Sequence, residues 1–313
     1  LDAVRLTNVT KTFGDHVAVK DLSLAVPEGS VYGFIGPNGS GKTTTLRTIL
    51  HVIHPDSGTV ELLGEQGTRA ANDRVGYLPE ERGLYKKLKV LGVLEYYAAL
   101  KGMAAADARR EGQVWLDRLG LGEVAGRKVE TLSKGMAQKV QFIATVISRP
   151  ELIILDEPFS GLDPVNLEAI RDAIVELSRN GTTVIFSTHD MVMAERMCDF
   201  VFMIFRGEKV LDGTLAQIQE RYGTDTLRLR AEGARDVLQG HPSVESVVDM
   251  GRYQEVRLAG DPQALLADLA GRTRVELFEL AQPSLHDIFV RIAGPEAAEA
   301  AAASASAAGA GAE

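Results

Sequence analysis

An α/β fold built on a largely parallel sheet, followed by a smaller α+β unit, is what this 313-residue sequence predicts. Three observations predict it. From Val4 to about Gln219, short β-rich apolar runs alternate with helical segments, the pattern of strands layered with helices. Three of those runs, VYGFIG at 31–36, LIILDE at 152–157 and TTVIFST at 182–188, are apolar enough to be buried on both faces, as parallel strands are. Beyond Gln219 the order becomes strand, helix, strand, strand, helix, strand.

Each of the three apolar runs leads into a polar or Gly-rich loop. Ligands of open α/β sheets sit outside the carboxyl ends of the strands, so the chemistry is expected where these loops converge. Between Pro79 and Pro150 there is no proline, and VLGVLEYYAALKG and EGQVWLDRLGL carry apolar residues at helical spacing. A helical subdomain is expected there, over about 82–149, with Trp115 in its core. The main domain is thus expected over 1–219.

In the second unit, over 220–294, TLRLRA, ARDVLQG, VESVVDM, YQEVRLAG, PQALLADLAG and RVELFEL match a ferredoxin-like βαββαβ order. A last helix, PSLHDIFVRIAG, has Pro283 near its start, where proline is tolerated. The Ala-rich stretch 295–313 has little to bury and is expected to be a mobile tail.

Composition excludes several classes. Lys and Arg number 34 against 43 Asp and Glu, a formal net charge of -9, so no nucleic-acid partner is expected. Cys198 is the sole cysteine, which rules out an intrachain disulfide or a cysteine-built zinc site and suits a reducing compartment. Its expected role is that of a small buried hydrophobe. No apolar run approaches the roughly 18 residues that cross a bilayer. The N-terminal LDAVRLTNVT has neither a signal peptide's layout nor an initiating methionine, from which trimming and a cytoplasmic location are expected.

GPNGSGKT, residues 36–43, satisfies the G-x-x-x-x-G-K-[ST] pattern between an expected strand and an expected helix. Gly36, Pro37, Asn38, Gly39, Ser40 and Gly41 would let backbone N–H groups wrap an anionic phosphate. The helix that follows, opened by Lys42, Thr43 and Thr44, presents its positive end. Lys42 adds a full charge, and Thr43 would hold Mg²⁺ through its hydroxyl. LIILDEP ends in two adjacent carboxylates, which strand alternation would point in different directions. Asp156 would bind the metal and Glu157 would polarise the water that attacks a γ-phosphate, the ordinary alternative being solvated loop acids. His189, in STHD, falls at the same edge and could reach the phosphate and the water. Surface exposure or core filling is the expectation for His16, His51, His54, His241 and His286.

The order of phosphate loop, LSKGM at 132–136, LIILDEP, SGLD at 160–163 and STHD resembles the nucleotide-binding subunit of an ATP-binding cassette (ABC) transporter, over about the first 220 residues. The resemblance implies a P-loop NTPase fold, ATP and Mg²⁺ as ligands, and a head-to-tail dimer, either a homodimer or a heterodimer with a similar ATPase. It implies that each ATP lies between one chain's phosphate loop and the other's LSKGM, with Ser133 and the amide of Gly135 facing the partner's nucleotide. Asp163 would lie at the dimer seam. Phe13, in KTFG, matches the aromatic that stacks on adenine, with a core role as the competing reading.

Two positions depart from the common pattern. Lys134 and Met136 replace a glycine and the glutamine of the usual LSGGQ. Glu80, in YLPEERGLY, stands where a glutamine usually senses magnesium and the membrane partner; its carboxylate would contact the metal but adds negative charge beside Asp156 and Glu157. Both look like a variant of exporter-type ATPases.

The expected function is ATP hydrolysis that drives a separate membrane permease, in export, from the cytoplasmic face of the membrane. Arg82, Leu84, Tyr85 and Leu88 are the expected contact surface. A soluble ABC-type ATPase is disfavoured by the lack of a coiled-coil insertion, of a second motif set and of basic surplus. A regulatory switch without turnover is disfavoured by Glu157 and His189. The accessory domain is expected to stabilise or gate the dimer.

Overall fold

The computed structural model describes residues 1–66, 73–81, 83–223, 226–233, 237–238 and 240–294. The described chain divides into two compact units, Leu1–Thr214 and Leu215–Gly294. In the first, β1 (Asp2–Phe13), β2 (His16–Pro27), β4 (Ser57–Leu62) and β5 (Glu65–Gln66) form an antiparallel sheet in the order β2-β1-β4-β5. A six-stranded sheet adds β3 (Val31–Ile35), β6 (Val75–Leu78), β7 (Leu152–Asp156), β8 (Thr183–Thr188), β9 (Phe200–Phe205) and β10 (Glu208–Thr214) in the order β10-β9-β3-β8-β7-β6. All its neighbours run parallel except the β9–β10 hairpin.

The three apolar runs form β3, β7 and β8, which lie side by side at the sheet centre. Their alternation feeds two cores. Leu152 and Ile154 of β7 pack with Phe34, Phe202 and the antiparallel sheet's Val4 and Leu6, whereas Ile153 and Leu155 pack with Phe142, Ile143 and Ile174. The antiparallel sheet itself is not legible in the sequence. Register shifts along β1 and left-handed backbone at Asn8 (φ 50) and Asp21 (φ 47) break its period of two, so no clean alternation marks it.

Helix α1 (Lys42–Ile49) carries three consecutive threonines in its first turn, poor helix formers. It is held by tertiary burial of Leu46 and Ile49, and Thr45 and Thr48 return their hydroxyls to the carbonyls of Gly41 and Thr44. The region between Pro79 and Pro150 is helical: α2 (Val90–Leu100), α3 (Ala105–Arg118) and α4 (Lys134–Val146), with Trp115 edge-on to Phe142 at 6.1 Å. Lys139 reaches back to the carbonyl of Leu119 just past α3, closing that helix end with a cation. Two more helices, α5 (Pro164–Arg179) and α6 (Met191–Met197), complete the unit.

The second unit starts with α7 (Leu215–Tyr222), ahead of the boundary expected after Gln219. Gln219 donates to the carbonyl of Pro283, and Arg291 to that of Tyr222, so α7 is tied to this unit's last helix. The sheet of β11 (Thr226–Ala231), β12 (Val244–Asp249), β13 (Gln254–Leu258) and β14 (Val275–Ala281) is antiparallel in the order β12-β13-β11-β14, the ferredoxin-like arrangement. Helix α8 (Pro262–Arg272) sends Leu265 and Leu269 onto Leu227, Leu229 and Val256. Helix α9 (Leu285–Ala293) is started by a capping box between Ser284 and Asp287.

Of the helix expected over 234–240, residues 234–236 and 239 lie outside the described residues; Val237 and Leu238 are helical. Arg82 and the stretch 295–313 also lie outside them. No helix among the described residues is long and apolar enough to cross a membrane.

Candidate active site

The loop between β3 and α1 is shaped by glycines at two points of close approach. A Cβ on Gly36 would sit 2.3 Å from the carbonyl of Ile204, and one on Gly41 would sit 2.5 Å from that of Ala18. Gly41 also has φ 109 and Gly39 φ 77, left-handed values that favour glycine. Pro37 and Ser40 close the turn through Ser40 N–H to Pro37 O at 3.2 Å, while Asn38 and Gly39 stay exposed at its tip. Lys42 is 6% exposed and donates to the carbonyls of Gly36 (2.7 Å) and Pro37 (3.2 Å). Its ammonium lies 3.5 Å from the Glu157 carboxylate.

Asp156 ends β7 fully buried. Its Oδ1 accepts from Ser187 Oγ at 2.6 Å and from Thr43 Oγ1 at 3.3 Å, whereas its Oδ2 is buried with no hydrogen-bond partner. Glu157 also binds Ser187, whose hydroxyl oxygen accepts from the Glu157 backbone N–H at 2.9 Å. The two acids do part company, but not by the strand alternation expected of them. Glu157 lies beyond the strand with φ 48, and this left-handed residue turns the chain; such backbone costs about 1–3 kcal/mol in a residue other than glycine.

His189 follows β8 and its Nδ1 lies 3.1 and 3.2 Å from the two Glu157 oxygens. That hydrogen bond, with the carboxylate's charge, raises the histidine's pKa against the opposing effect of burial. Glu80 follows β6, on a turn whose flanking carbonyls at Pro79 and Glu81 accept from Gln141. Burial, and then the charges of Asp156 and Glu157, raise its pKa, the crowding of acids expected at that position.

Lys42, Thr43, Thr44, Glu80 and Glu157 line one cleft of about 390 Å³ together with Phe13, and Asp156 and His189 stand behind it, bonded to Thr43 and Glu157. Phe13 is 50% exposed, so it is not a core residue, and Lys11 places its ammonium 5.5 Å from the ring centroid. His16 lines the same cleft. Exposure is what the sequence leads one to expect of it; a place in the site is not, and the available signal is its position three residues after Phe13.

Ser133, Gly135 and Asp163 do not line that cleft. Ser133 caps α4, accepting from Met136 N–H at 3.3 Å, and Asp163 caps α5, accepting from Asn166 N–H at 3.0 Å. Asn166 joins the two: its side-chain amide donates to Asp163 and stands 2.9 Å from where a Cβ on Gly135 would be. No motif in the sequence marks Asn166 for this part.

Residues 19–160 match the family model described as ABC transporter, and 213–293 match that described as ATP-binding protein DrrA1-3-like, C-terminal domain. An uncharacterized ABC transporter ATP-binding protein of Bacillus subtilis, YhaQ, is 40% identical over 291 residues, 92% of this chain and 98% of that one. The chain belongs to the ABC transporter ATP-binding proteins. Nod factor export ATP-binding protein I of Sinorhizobium fredii is 32% identical over 298 residues, 94% of this chain and 87% of that one. A dimeric ATP-binding cassette in a post-hydrolysis state, bound to ADP and Pi, superposes with a TM-score of 0.62 at 27% identity, covering 68% of this chain and 98% of that one. This ABC protein is accordingly an ATP-binding ATPase subunit of the transporter type, with a P-loop α/β domain and a C-terminal α+β domain.

Proposed function

We propose that two copies of this chain, or one copy and a similar ATPase, close head to tail on ATP and drive a separate membrane permease in export, from the cytoplasmic face. The observation that carries the reading is convergence: Lys42, Asp156, Glu157 and His189 come from the carboxyl ends of β3, β7 and β8 to one place. The loop 36–43 and Lys42 bind the phosphates, and Phe13 stacks on adenine. The orphaned, buried Oδ2 of Asp156 fits a divalent cation beside Thr43, with Glu80 within the same cleft. So sparse a set of protein oxygens suits magnesium, which takes much of its shell from phosphate and water. When bound, it would supply positive charge that offsets the negative charge of the phosphates.

Glu157 orients and polarises the attacking water, and His189 fixes the carboxylate through its Nδ1. Ser133 and the N–H of Gly135, at the start of α4, complete the γ-phosphate site of the facing chain, with Asp163 at the seam. The permease meets the surface at Leu84, Tyr85 and Leu88, where Tyr85 is half exposed and stands edge-on to Tyr96 at 5.3 Å. Tyr85→Ala with Leu88→Asp should abolish co-purification with the permease; unchanged recovery refutes that assignment. The domain from 220 onward is assigned to steadying the dimer, and light scattering after truncation at Thr214 checks it: an undiminished ATP-dependent dimer refutes it.

The deciding experiment compares ATP turnover of the intact chain with that of Glu157→Gln in magnesium, with light scattering on both. Turnover should fall by at least about 100-fold while ATP binding persists and the dimer accumulates. A variant that hydrolyses ATP at the original rate ends the assignment of Glu157.

A further inference from the structure

The cleft is lined by Phe13, by the loop 38–44 and, from β2, by His16 and Ala18. His16 is the cross-strand partner of Phe13 across the two-residue turn at Gly14 and Asp15. Directly opposed residues of antiparallel strands stand on one face with Cβ atoms about 5 Å apart. Two residues on, Ala18 reaches the phosphate loop: its carbonyl is the atom that a Cβ on Gly41 would strike. At about 3.3 Å per residue, His16 stands roughly 7 Å from that contact. This is the stretch between base and phosphates, where a nucleotide carries its sugar.

The local backbone supports the placement. The register shift between Lys11 and Thr12 leaves Ala18 as an extra residue in β2, and a bulge of this kind bends the strand and re-aims its side chains. The His16 side chain is exposed, lines the cleft with Phe13, Ala18 and Thr44, and has no hydrogen-bond or ionic partner among the described residues. A neutral imidazole offers one donor and one acceptor nitrogen, the complement of a hydroxyl that both accepts and donates.

We propose that His16 binds a ribose hydroxyl of the nucleotide and thereby makes the cleft select ribonucleotides over deoxyribonucleotides. The proposal rests on the nucleotide reading of the cleft, and its test separates the two. Calorimetric titration of the full chain with ADP, 2′-deoxy-ADP and 3′-deoxy-ADP, with magnesium present, reads binding without turnover. The intact chain should bind ADP about tenfold more tightly than at least one deoxynucleotide, one hydrogen bond's worth. His16→Ala should bring ADP down to the deoxynucleotide's affinity while leaving the latter unchanged. His16→Gln, which keeps an amide donor and acceptor, should restore part of the preference. Equal binding of all three nucleotides by the intact chain overturns the proposal, as does an alanine variant that keeps the preference or weakens all three alike. If the intact chain binds no ADP, the nucleotide reading falls first and takes this one with it.

Discussion

Around Asp156, polar groups from three strand ends bond one another: Ser187 ties Asp156 to the backbone of Glu157, and Glu157 in turn meets Lys42 and His189. Around Ser133 and Asp163 the bonds are local, each cap accepting from an N–H three residues on. The first region is a network buried in one chain; the second is a pair of helix starts at the surface. The contrast teaches where each half of the chemistry has its counterpart. Lys42, Asp156, Glu157 and His189 are positioned by their own fold, whereas the start of α4 has its proposed counterpart in the facing chain's nucleotide.

The largest expected effect breaks the contrast at its second member. Gly135→Asp puts a carboxylate where the proposed γ-phosphate of the facing chain belongs, so turnover should fall by about 100-fold or more while the chain's own ATP affinity stays put. Equal losses of binding and turnover would mean that the two regions serve one nucleotide in one chain. Next is Ser187→Ala, which strips a buried carboxylate and a buried N–H of a shared partner. It should cost about 2 kcal/mol in urea unfolding, with turnover reduced as Asp156 and Glu157 lose their common tie. An unchanged unfolding midpoint would make the network ornamental.

The smallest effect concerns His189, whose pKa is raised above the ordinary 6.5 by its bond to Glu157. A raised value means that the folded state binds the proton more tightly than the unfolded chain does. The pairing therefore stabilises in full below about pH 6.5 and fades as the pH climbs through the folded-state value. The stability difference between the intact chain and His189→Ala should shrink from pH 6 toward pH 9; a difference that grows would reverse the assignment.

How much of this is legible in the sequence follows from how far apart the cooperating residues lie in the chain. The loop 36–43 is eight contiguous residues with its strand and helix attached, so it is legible from the order of residues alone. An apolar strand ending in acids marks Asp156 and Glu157, yet alternation is the wrong reason for their divergence, because a string of residues does not display a positive φ. Ser187 lies 31 residues from Asp156 and reads as one more hydroxyl at a strand end. His16 and Phe13 meet only because β1 folds back on β2, a hairpin whose bulged register hides it. The boundary expected after Gln219 cuts through α7, since nothing in that helix's own pattern tells of the ties to Pro283 and Arg291.

The left-handed backbone at Glu157 also limits what history can do with this position. Asparagine, aspartate and glycine enter that region with least strain, unbranched side chains such as glutamine accept it at a cost like glutamate's, and valine, isoleucine or threonine are true outliers there. A lineage that gives up hydrolysis therefore has few exits: it trades the carboxylate for an amide, a shorter acid or no side chain, and keeps the turn. Among descendants of this chain, a branched residue at 157 would mark a rebuilt strand end, and an asparagine or glutamine a strand end kept intact with the proposed water-polarising carboxylate removed.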